Sequence, residues 1–184
     1  MTVLTGIAYP LLITCLAQLG YPSKANGSLI LRNGKIIGSE LIGQKFDSSM
    51  YFWSRPSAIN YNPVPSGASN WGPTSDTLKK LVAARRITFA KMNSIPDPLT
   101  IPEEMIFASA SGLDPHISPE AALMQAKRIA RARKFDYNQE QKLLQSIRNM
   151  TDKPQFSILG EERINVLNLN LELDRIASNI DNNK

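Results

Sequence analysis

The sequence predicts an α+β protein with one N-terminal transmembrane helix, followed by a single mixed α/β soluble domain that begins with a β-hairpin. Three features predict this class: an uncharged run over residues 2–21, two strand-like segments around Asn33-Gly34, and several helical apolar stripes later in the chain. We expect a transmembrane helix at 2–22, a soluble domain at 24–178 and a flexible tail at 179–184.

The uncharged run is long enough to cross a bilayer. About 20 helical residues, rising ~1.5 Å each, cover the ~30 Å hydrocarbon core. Three other interpretations stay open: a cleaved signal peptide, a lipoprotein anchor at Cys15, and a core helix interrupted at Gly6 and Pro10. We expect a retained span because no basic residue precedes the run. The basic residues that follow it would, by charge alone, favour a cytoplasmic domain.

The clearest local signal is the hairpin turn at Asn33-Gly34. Strand-like segments 28–32 and 35–39 flank it, and Asn-Gly is a preferred pair for a type I′ turn. Residues 41–46 and 50–53 are expected to extend the sheet or form its margin. Residues 60–73 are rich in proline and glycine, which predicts a long loop of a kind that is often functional.

Two helices are predicted in the middle of the chain. One begins at a cap on Thr74 or Ser75 and runs to about Met92. The next begins after Ser118, with a proline at its first position, and runs to Arg133.

Two further helices complete the prediction. Asn138 with Gln141 resembles a capping box that starts the third helix. The segment 165–176 fits a strand by alternation and a helix by its apolar stripe, and we choose the helix, with Asn165 as its cap.

Composition limits the classes of function. The net charge of +5 is concentrated between residues 127 and 153, and the only cysteine is Cys15, inside the apolar run. The predicted soluble domain therefore has no disulfides of its own and no cysteine-bound zinc. Aromatic residues do not interleave with the basic ones, which argues against nucleic acid as a partner.

No catalytic motif is complete in this sequence. Phosphate-binding glycine loops are missing, and His116 is the only histidine. Ser109, Ser111 and Asp114 lie near His116 and invite a hydrolase interpretation. Such close neighbours do not easily form a triad, whose members converge from separate elements, and the Gly-x-Ser-x-Gly elbow is missing. A turn role for His116 is preferred.

The segment Ala108–Ala122 is similar to the hallmark segment of a known family, the C subunit (KdpC) of the bacterial Kdp high-affinity potassium-transporting P-type ATPase. Further blocks resemble that family in the right order, from about Leu4 to Ile176. They are Tyr9–Leu12, Lys24–Ile30, Gly38–Gln44, Tyr51–Phe52, Arg55–Ala58, Ser66–Asn70, Gly72–Thr74 and Leu159–Leu167.

The resemblance implies a non-catalytic accessory subunit of a four-subunit, ATP-driven potassium uptake complex. Its implied partners are a channel-like potassium-translocating subunit, a P-type ATPase subunit, a small membrane peptide and inner-membrane lipid. It also implies a single-pass protein of the bacterial inner membrane with an extracytoplasmic soluble domain. The implied roles are to stabilise assembly and to raise the ATP-binding affinity of the ATPase subunit. No cofactor is expected on this chain alone, and ATP would bind only in concert with that subunit.

The resemblance also selects residues that carry the family pattern and are candidates for partner contact. The long loop 60–73 and the turn 109–116 are the segments we select for contact with the channel-like subunit. Each has an alternative internal role, in which glycine and proline form sharp turns and the polar residues bond only within the domain. For the loop both roles stay open, and for the turn the internal role is preferred. The candidate residues are Gln44, Arg55, Pro56, Ser57, Ser66, Gly67, Ser69, Asn70, Ser109, Ser111, Gly112, Asp114, His116 and Asn165. The alternative function is a stand-alone, membrane-tethered extracytoplasmic domain that binds or hydrolyses a ligand.

Overall fold

The computed structural model describes residues 1–32 and 34–178. The chain divides into two compact units, Met1–Ile42 and a second that begins at Gly43. The elements of the first unit are a π-helix (Leu4–Ala8), α1 (Tyr9–Gly20), α2 (Pro22–Ala25), β1 (Leu29–Arg32) and β2 (Lys35–Ser39).

The prediction of an N-terminal transmembrane helix over 2–22 is wrong. Within residues 1–32 and 34–178, no helix is both long enough and apolar enough to span a bilayer. The apolar run changes from π-helical to α-helical geometry at Tyr9, and α1 ends at Gly20. The part that follows the π-helix, α1, has 12 residues and by itself extends ~18 Å, against ~30 Å of hydrocarbon.

The predicted hairpin is confirmed in the first unit. Strands β1 and β2 are antiparallel, Arg32 pairs with Lys35, and a register shift between Ile30 and Leu31 marks a bulge. Gly34 has a φ of +75°, as a tight hairpin turn requires. Asn33 lies outside the described residues, so the turn type stays a prediction. The tail at 179–184 also lies outside them.

The second unit is built mainly from four helices, which confirms the helical half of the α+β prediction. They are α3 (Asp76–Asn93), α4 (Pro119–Arg133), α5 (Tyr137–Asn149) and α6 (Val166–Ser178). Two-residue strands β3 (His116–Ile117) and β4 (Ile164–Asn165) pair antiparallel before α4 and α6. Residues 41–46 and 50–53 are not strands in the structure, and residues 60–73 contain no helix or strand, as predicted.

The helix caps agree with the sequence in three cases out of four. Ser75 and Ser118 each accept a hydrogen bond from a backbone N–H of the first turn of α3 and α4. Asn165 accepts from the N–H of Asn168 at the start of α6, which confirms the helix over the strand. For α5 the prediction is wrong by two residues, because the capping box is formed by Asp136 with Gln139.

One apolar core lies among α3–α6 of the second unit. Its fully buried side chains include Ile106, Ile129, Leu143, Leu169 and Phe52. Phe52 belongs to none of the helices or strands. It lies on an extended segment that passes through the core and leads directly into the candidate site.

Candidate functional site

The extended segment at Phe52 is held by side-chain amides in place of a neighbouring strand. The N–H of Phe52 donates to Asn170 Oδ1 at 2.8 Å, and Asn170 Nδ2 donates to the Phe52 carbonyl at 3.0 Å. On the next residue, the N–H of Trp53 donates to Gln125 Oε1 at 2.8 Å. Asn170 lies on α6 and Gln125 on α4, so two helices define the path of the chain. Buried backbone groups need such partners.

A buried cation fixes the start of the same segment. Arg128 of α4 is 7% exposed and donates to the carbonyls of Ser49 at 2.7 Å and Tyr51 at 3.0 Å. Its guanidinium lies 4.1 Å from the centre of the Trp53 ring, and its Nε donates to Asn93. Burial lowers the pKa of Arg128 to about 10, so the side chain stays charged at neutral pH.

The extended segment positions Arg55 so that its guanidinium forms an ion pair with Asp114. Arg55 Nη1 lies 2.7 Å from Asp114 Oδ2, and both side chains are less than a third exposed. The second carboxylate oxygen accepts the backbone N–H of His116 at 3.0 Å. His116 Nδ1 lies 3.6 Å from the same oxygen, a longer contact than the hydrogen bonds from the His116 N–H and the Arg55 guanidinium.

These contacts strongly favour the ionised carboxylate. Burial raises the pKa of Asp114, but the His116 side chain and N–H and the Arg55 guanidinium outweigh burial and hold the pKa at about 2. A polar cleft of about 350 Å³ opens beside this pair, and Glu104 and Arg163 also line it. Among the described residues, no group of three or more His, Cys, Asp or Glu side chains is placed to hold a metal ion.

Backbone hydrogen bonds tie the two signature loops to each other. The N–H of Ser109 donates to the Pro56 carbonyl at 3.1 Å, and the N–H of Gly67 donates to the Ser111 carbonyl at 3.2 Å. We call the set formed by 55–57, Gly67 and 109–114 the loop junction. Because its bonds join distant parts of the chain, they fix the mutual position of the long loop and the turn.

Two glycines make the loop junction possible. Gly112 has a φ of +71°, and a Cβ there would lie 2.5 Å from Ile59 Cγ1 and 2.9 Å from the Gly67 carbonyl oxygen. Gly43 donates its N–H to the Leu113 carbonyl at 2.7 Å. A Cβ on Gly43 would lie 2.5 Å from the Asp114 carbonyl oxygen. Only glycine permits these approaches without displacement of backbone.

Turn hydrogen bonds support Arg55 from the side of the long loop. Ser57 Oγ accepts the N–H groups of Ile59 at 3.2 Å and Tyr61 at 2.9 Å. The Tyr61 hydroxyl donates to the Arg55 carbonyl. Burial raises the pKa of Tyr61 to about 12, so the hydroxyl remains a donor at neutral pH.

Most of the candidate residues selected from the sequence meet at or beside the loop junction. Those with a direct place in it are Arg55, Pro56, Ser57, Gly67, Ser109, Ser111, Gly112 and Asp114. His116 and Asn165 are adjacent, because they pair across β3 and β4.

The remaining four candidate residues lie around the loop junction. Gln44 accepts the Ser54 hydroxyl through its carbonyl at 2.9 Å. Ser69 and Asn70 line a cleft of about 420 Å³ with Ser57. Ser66 is exposed.

Sequence reasoning missed Gln125, Asn170, Arg128 and Gly43 as positioning residues. A signal for the first two was present: each is an amide inside the apolar stripe of a predicted helix, where Asn170 follows Leu169 and Gln125 precedes Ala126. A polar residue at a core position has to find a buried partner. The sequence gives no indication of which backbone groups that partner would be.

These features define an α+β domain whose signature residues form an internally bonded junction of two loops. Comparison with known proteins then identifies the family. A family model described as "K+-transporting ATPase, c chain" matches residues 1–175. The chain therefore belongs to the KdpC family, as the ordered sequence blocks indicated.

Curated relatives agree along nearly the whole chain. The potassium-transporting ATPase KdpC subunit of Methylococcus capsulatus is 47% identical over 179 residues, covering 95% of this chain and 92% of the relative. The KdpC subunit of Geobacter metallireducens is 47% identical, covering 96% and 92%. That of Rhodospirillum rubrum is 49% identical, covering 95% and 89%.

Proposed function

We propose that this chain is a non-catalytic accessory subunit of a four-subunit, ATP-driven potassium uptake complex and stabilises its assembly. Membership of the KdpC family supports the ATPase-subunit part of this proposal. The loop junction is the observation that carries the accessory role. Its polar groups bind one another, as in the Arg55–Asp114 ion pair and the Ser111–Gly67 hydrogen bond. Side chains that bond to one another give the two loops a fixed surface that a partner subunit can contact.

The loop junction gives that surface a defined conformation. The extended segment, fixed at Phe52 by its hydrogen bond to Asn170, positions Arg55. The N–H of His116 in β3 positions Asp114. A half-buried ion pair contributes more than an exposed one, because solvent screens it less. Breaking it by removing the carboxylate leaves a partly desolvated guanidinium, which disfavours the closed arrangement of the two loops.

The proposed partners are a channel-like potassium-translocating subunit, a P-type ATPase subunit and a small membrane peptide. The loops 60–73 and 109–116 are proposed to face the channel-like subunit. The unit that begins at Gly43 is proposed to lie on the extracytoplasmic side of the bacterial inner membrane. The chain is proposed to raise the ATP affinity of the ATPase subunit while binding no nucleotide alone. The support for these details is the sequence resemblance.

Copurification tests the accessory role. The intact complex is isolated through a tag on another subunit, and the amount of this chain is measured for wild type, Asp114→Asn and the control Asp152→Asn. Asp152 forms a longer, exposed pair with Arg163 at 3.9 Å. We expect a severalfold loss for Asp114→Asn and no loss for the control, with both variants still folded by circular dichroism.

Each outcome of that experiment has a distinct meaning. If wild type itself fails to copurify, the proposed subunit role is refuted. If Asp114→Asn copurifies fully although its melting temperature falls, the loop junction has only an internal role. The nucleotide part is measured separately, as the ATP concentration for half-maximal ATPase activity with and without this chain. An unchanged value removes that part of the proposal.

Sidedness has its own test. Tyr137 is 74% exposed at the start of α5, and Cys15 is the only native cysteine. In a Cys15→Ser background, Tyr137→Cys should react with a membrane-impermeant maleimide in cells with a permeabilised outer envelope. Reaction only after the inner membrane is disrupted would place this unit on the cytoplasmic side.

A further inference from the structure

Helix α3 has an unusually large uncovered length. Of its 18 residues, only Phe89, Ala90 and Asn93 near the C-terminal end are buried. The first thirteen positions, 76–88, contain leucine, valine, alanine and isoleucine but no buried side chain. Helices in proteins derive most of their stability from packing of an apolar face. Over its first three turns, α3 leaves such a face incompletely covered.

A concave apolar groove runs along this part of α3. It has a volume of about 620 Å³. We call it the α3 groove, and its apolar lining includes Trp71, Leu78, Val82, Ala83, Ile87 and Phe107. Ile87 is 66% exposed and Trp71 is 43% exposed. Ala83 lies between larger side chains, which lets another backbone approach closely.

The charged residues that line the α3 groove are basic. They are Lys79 and Arg86, and none of the described residues in its lining is acidic. Asp76, also on α3, is the nearest acidic partner of Lys79. Lys79 lies 3.6 Å from Asp76, but both side chains are mostly exposed, so this pair neutralises little. The rim of the groove, formed by Lys79 and Arg86, therefore carries a net positive charge.

We propose that the α3 groove binds an amphipathic helix of another subunit, with an apolar face and acidic residues along its flanks. Leu78 and Val82 form one row and Ala83 and Ile87 a second, each at the one-turn spacing that matches a helix in a groove. The concave shape favours an inserted row of side chains over a flat lipid surface. The basic rim selects acidic flanks and steers association. The inference rests on the proposed function, since the partner is a subunit of the same ATPase.

Photocrosslinking in the intact complex tests the contact. Benzoylphenylalanine is placed at Ile87, and at the control position Tyr137, which is also exposed and lies on α5. We expect a crosslink from position 87 to a segment of another subunit that carries apolar residues and acidic flanks. A yield no higher than at 137, a crosslink to lipid, or a crosslink to a second copy of this chain would each overturn the proposal.

Charge reversal separates this contact from the subunit role itself. The variant Lys79→Glu/Arg86→Glu is compared with Lys127→Glu/Arg131→Glu, an exposed basic pair on α4. We expect the α3 pair to lower retention in the complex about tenfold and the α4 pair to have little effect. Arg86 also donates to the Pro98 carbonyl at 3.3 Å, so melting curves must show that the α3 variant is folded.

The possible results distinguish the α3 groove as a docking site from the accessory role of the chain. If wild type copurifies and both double variants are retained equally, the α3 groove is not the docking site and the accessory role stands. If wild type does not copurify at all, the accessory role fails first. When position 87 crosslinks as expected, reversing the acidic residues of the mapped partner segment to lysine should restore retention of Lys79→Glu/Arg86→Glu.

Discussion

The amide of Asn170 offers the sharpest test of how the core positions the site. Replacing Asn170 with leucine keeps the branched shape of the side chain, with a somewhat larger volume, but removes both hydrogen bonds to Phe52, which are 2.8 Å and 3.0 Å long. Phe52 is 0% exposed, so water cannot replace the amide. Each backbone group left unsatisfied costs about 1–3 kcal/mol. The added apolar contact of leucine offsets part of this, and we expect a loss of about 2–4 kcal/mol.

A loss of that size is large against the ~5–15 kcal/mol that stabilises a typical domain. Urea unfolding followed by far-ultraviolet circular dichroism measures it. With a slope of about 2 kcal/mol per molar urea, the midpoint should fall by roughly 1–2 M. The matched control is Asn138→Leu on the exposed surface of α5, where a change within about 0.5 kcal/mol is expected.

The reasoning is refuted if Asn170→Leu loses less than about 1 kcal/mol at an unchanged slope. That result would mean that the extended segment keeps its path without the amide. A second measurement links the core to the site. The contribution of the Arg55–Asp114 pair to the free energy of unfolding is the difference between a protein with Asp114 and its Asp114→Asn variant. This difference should be smaller in the Asn170→Leu background than in wild type. Additive effects of the two substitutions would show that the segment does not position Arg55.

Two further predictions concern the loop junction. The folded-state pKa of Asp114 is about 2, below its ordinary value of 3.8, so its stabilisation is complete above about pH 5 and is lost as pH falls towards 2. The difference in free energy of unfolding between wild type and Asp114→Asn should fall by about 2 kcal/mol over that range, and a constant difference would contradict the assignment. Gly112→Ala should cost more than about 2 kcal/mol, because φ is +71° and the added Cβ meets Ile59 and the Gly67 carbonyl. Its control is Gly67→Ala, where no atom lies within 4 Å of the added Cβ. If chemical denaturation shows that both variants lose the same free energy of unfolding, the steric explanation is disproved.

Much of the local structure of the second unit could be predicted from the sequence. Ser75, Ser118 and Asn165 cap helices through bonds to residues only three positions away, so the short-range pattern is sufficient. The cap of α5 shows the limit of this approach. Both Asn138 with Gln141 and Asp136 with Gln139 fit the capping box. The second pair is used because α4 ends at Lys134 in a left-handed conformation and Phe135 packs on the core.

The candidate site could be predicted only as a set of residues. The order of the sequence blocks selected Arg55 and Asp114 individually, but nothing local shows that they meet across 59 positions. The amide of Asn170 contacts Phe52 across 118 positions, and a sequence pattern cannot identify such a partner. The N-terminal run was misjudged because length and lack of charge were considered without the π-helical segment before α1.

The sequence by itself therefore determined the family, the hairpin and the helical segments of the second unit, because these depend on residue order and on interactions within a few positions. Only the tertiary structure decided the path of the extended segment through the core and the bonding of the two signature loops into one junction. Those features depend on which distant polar groups lose water together when the core closes. Burial, which makes an unpaired group costly, then selects their partners.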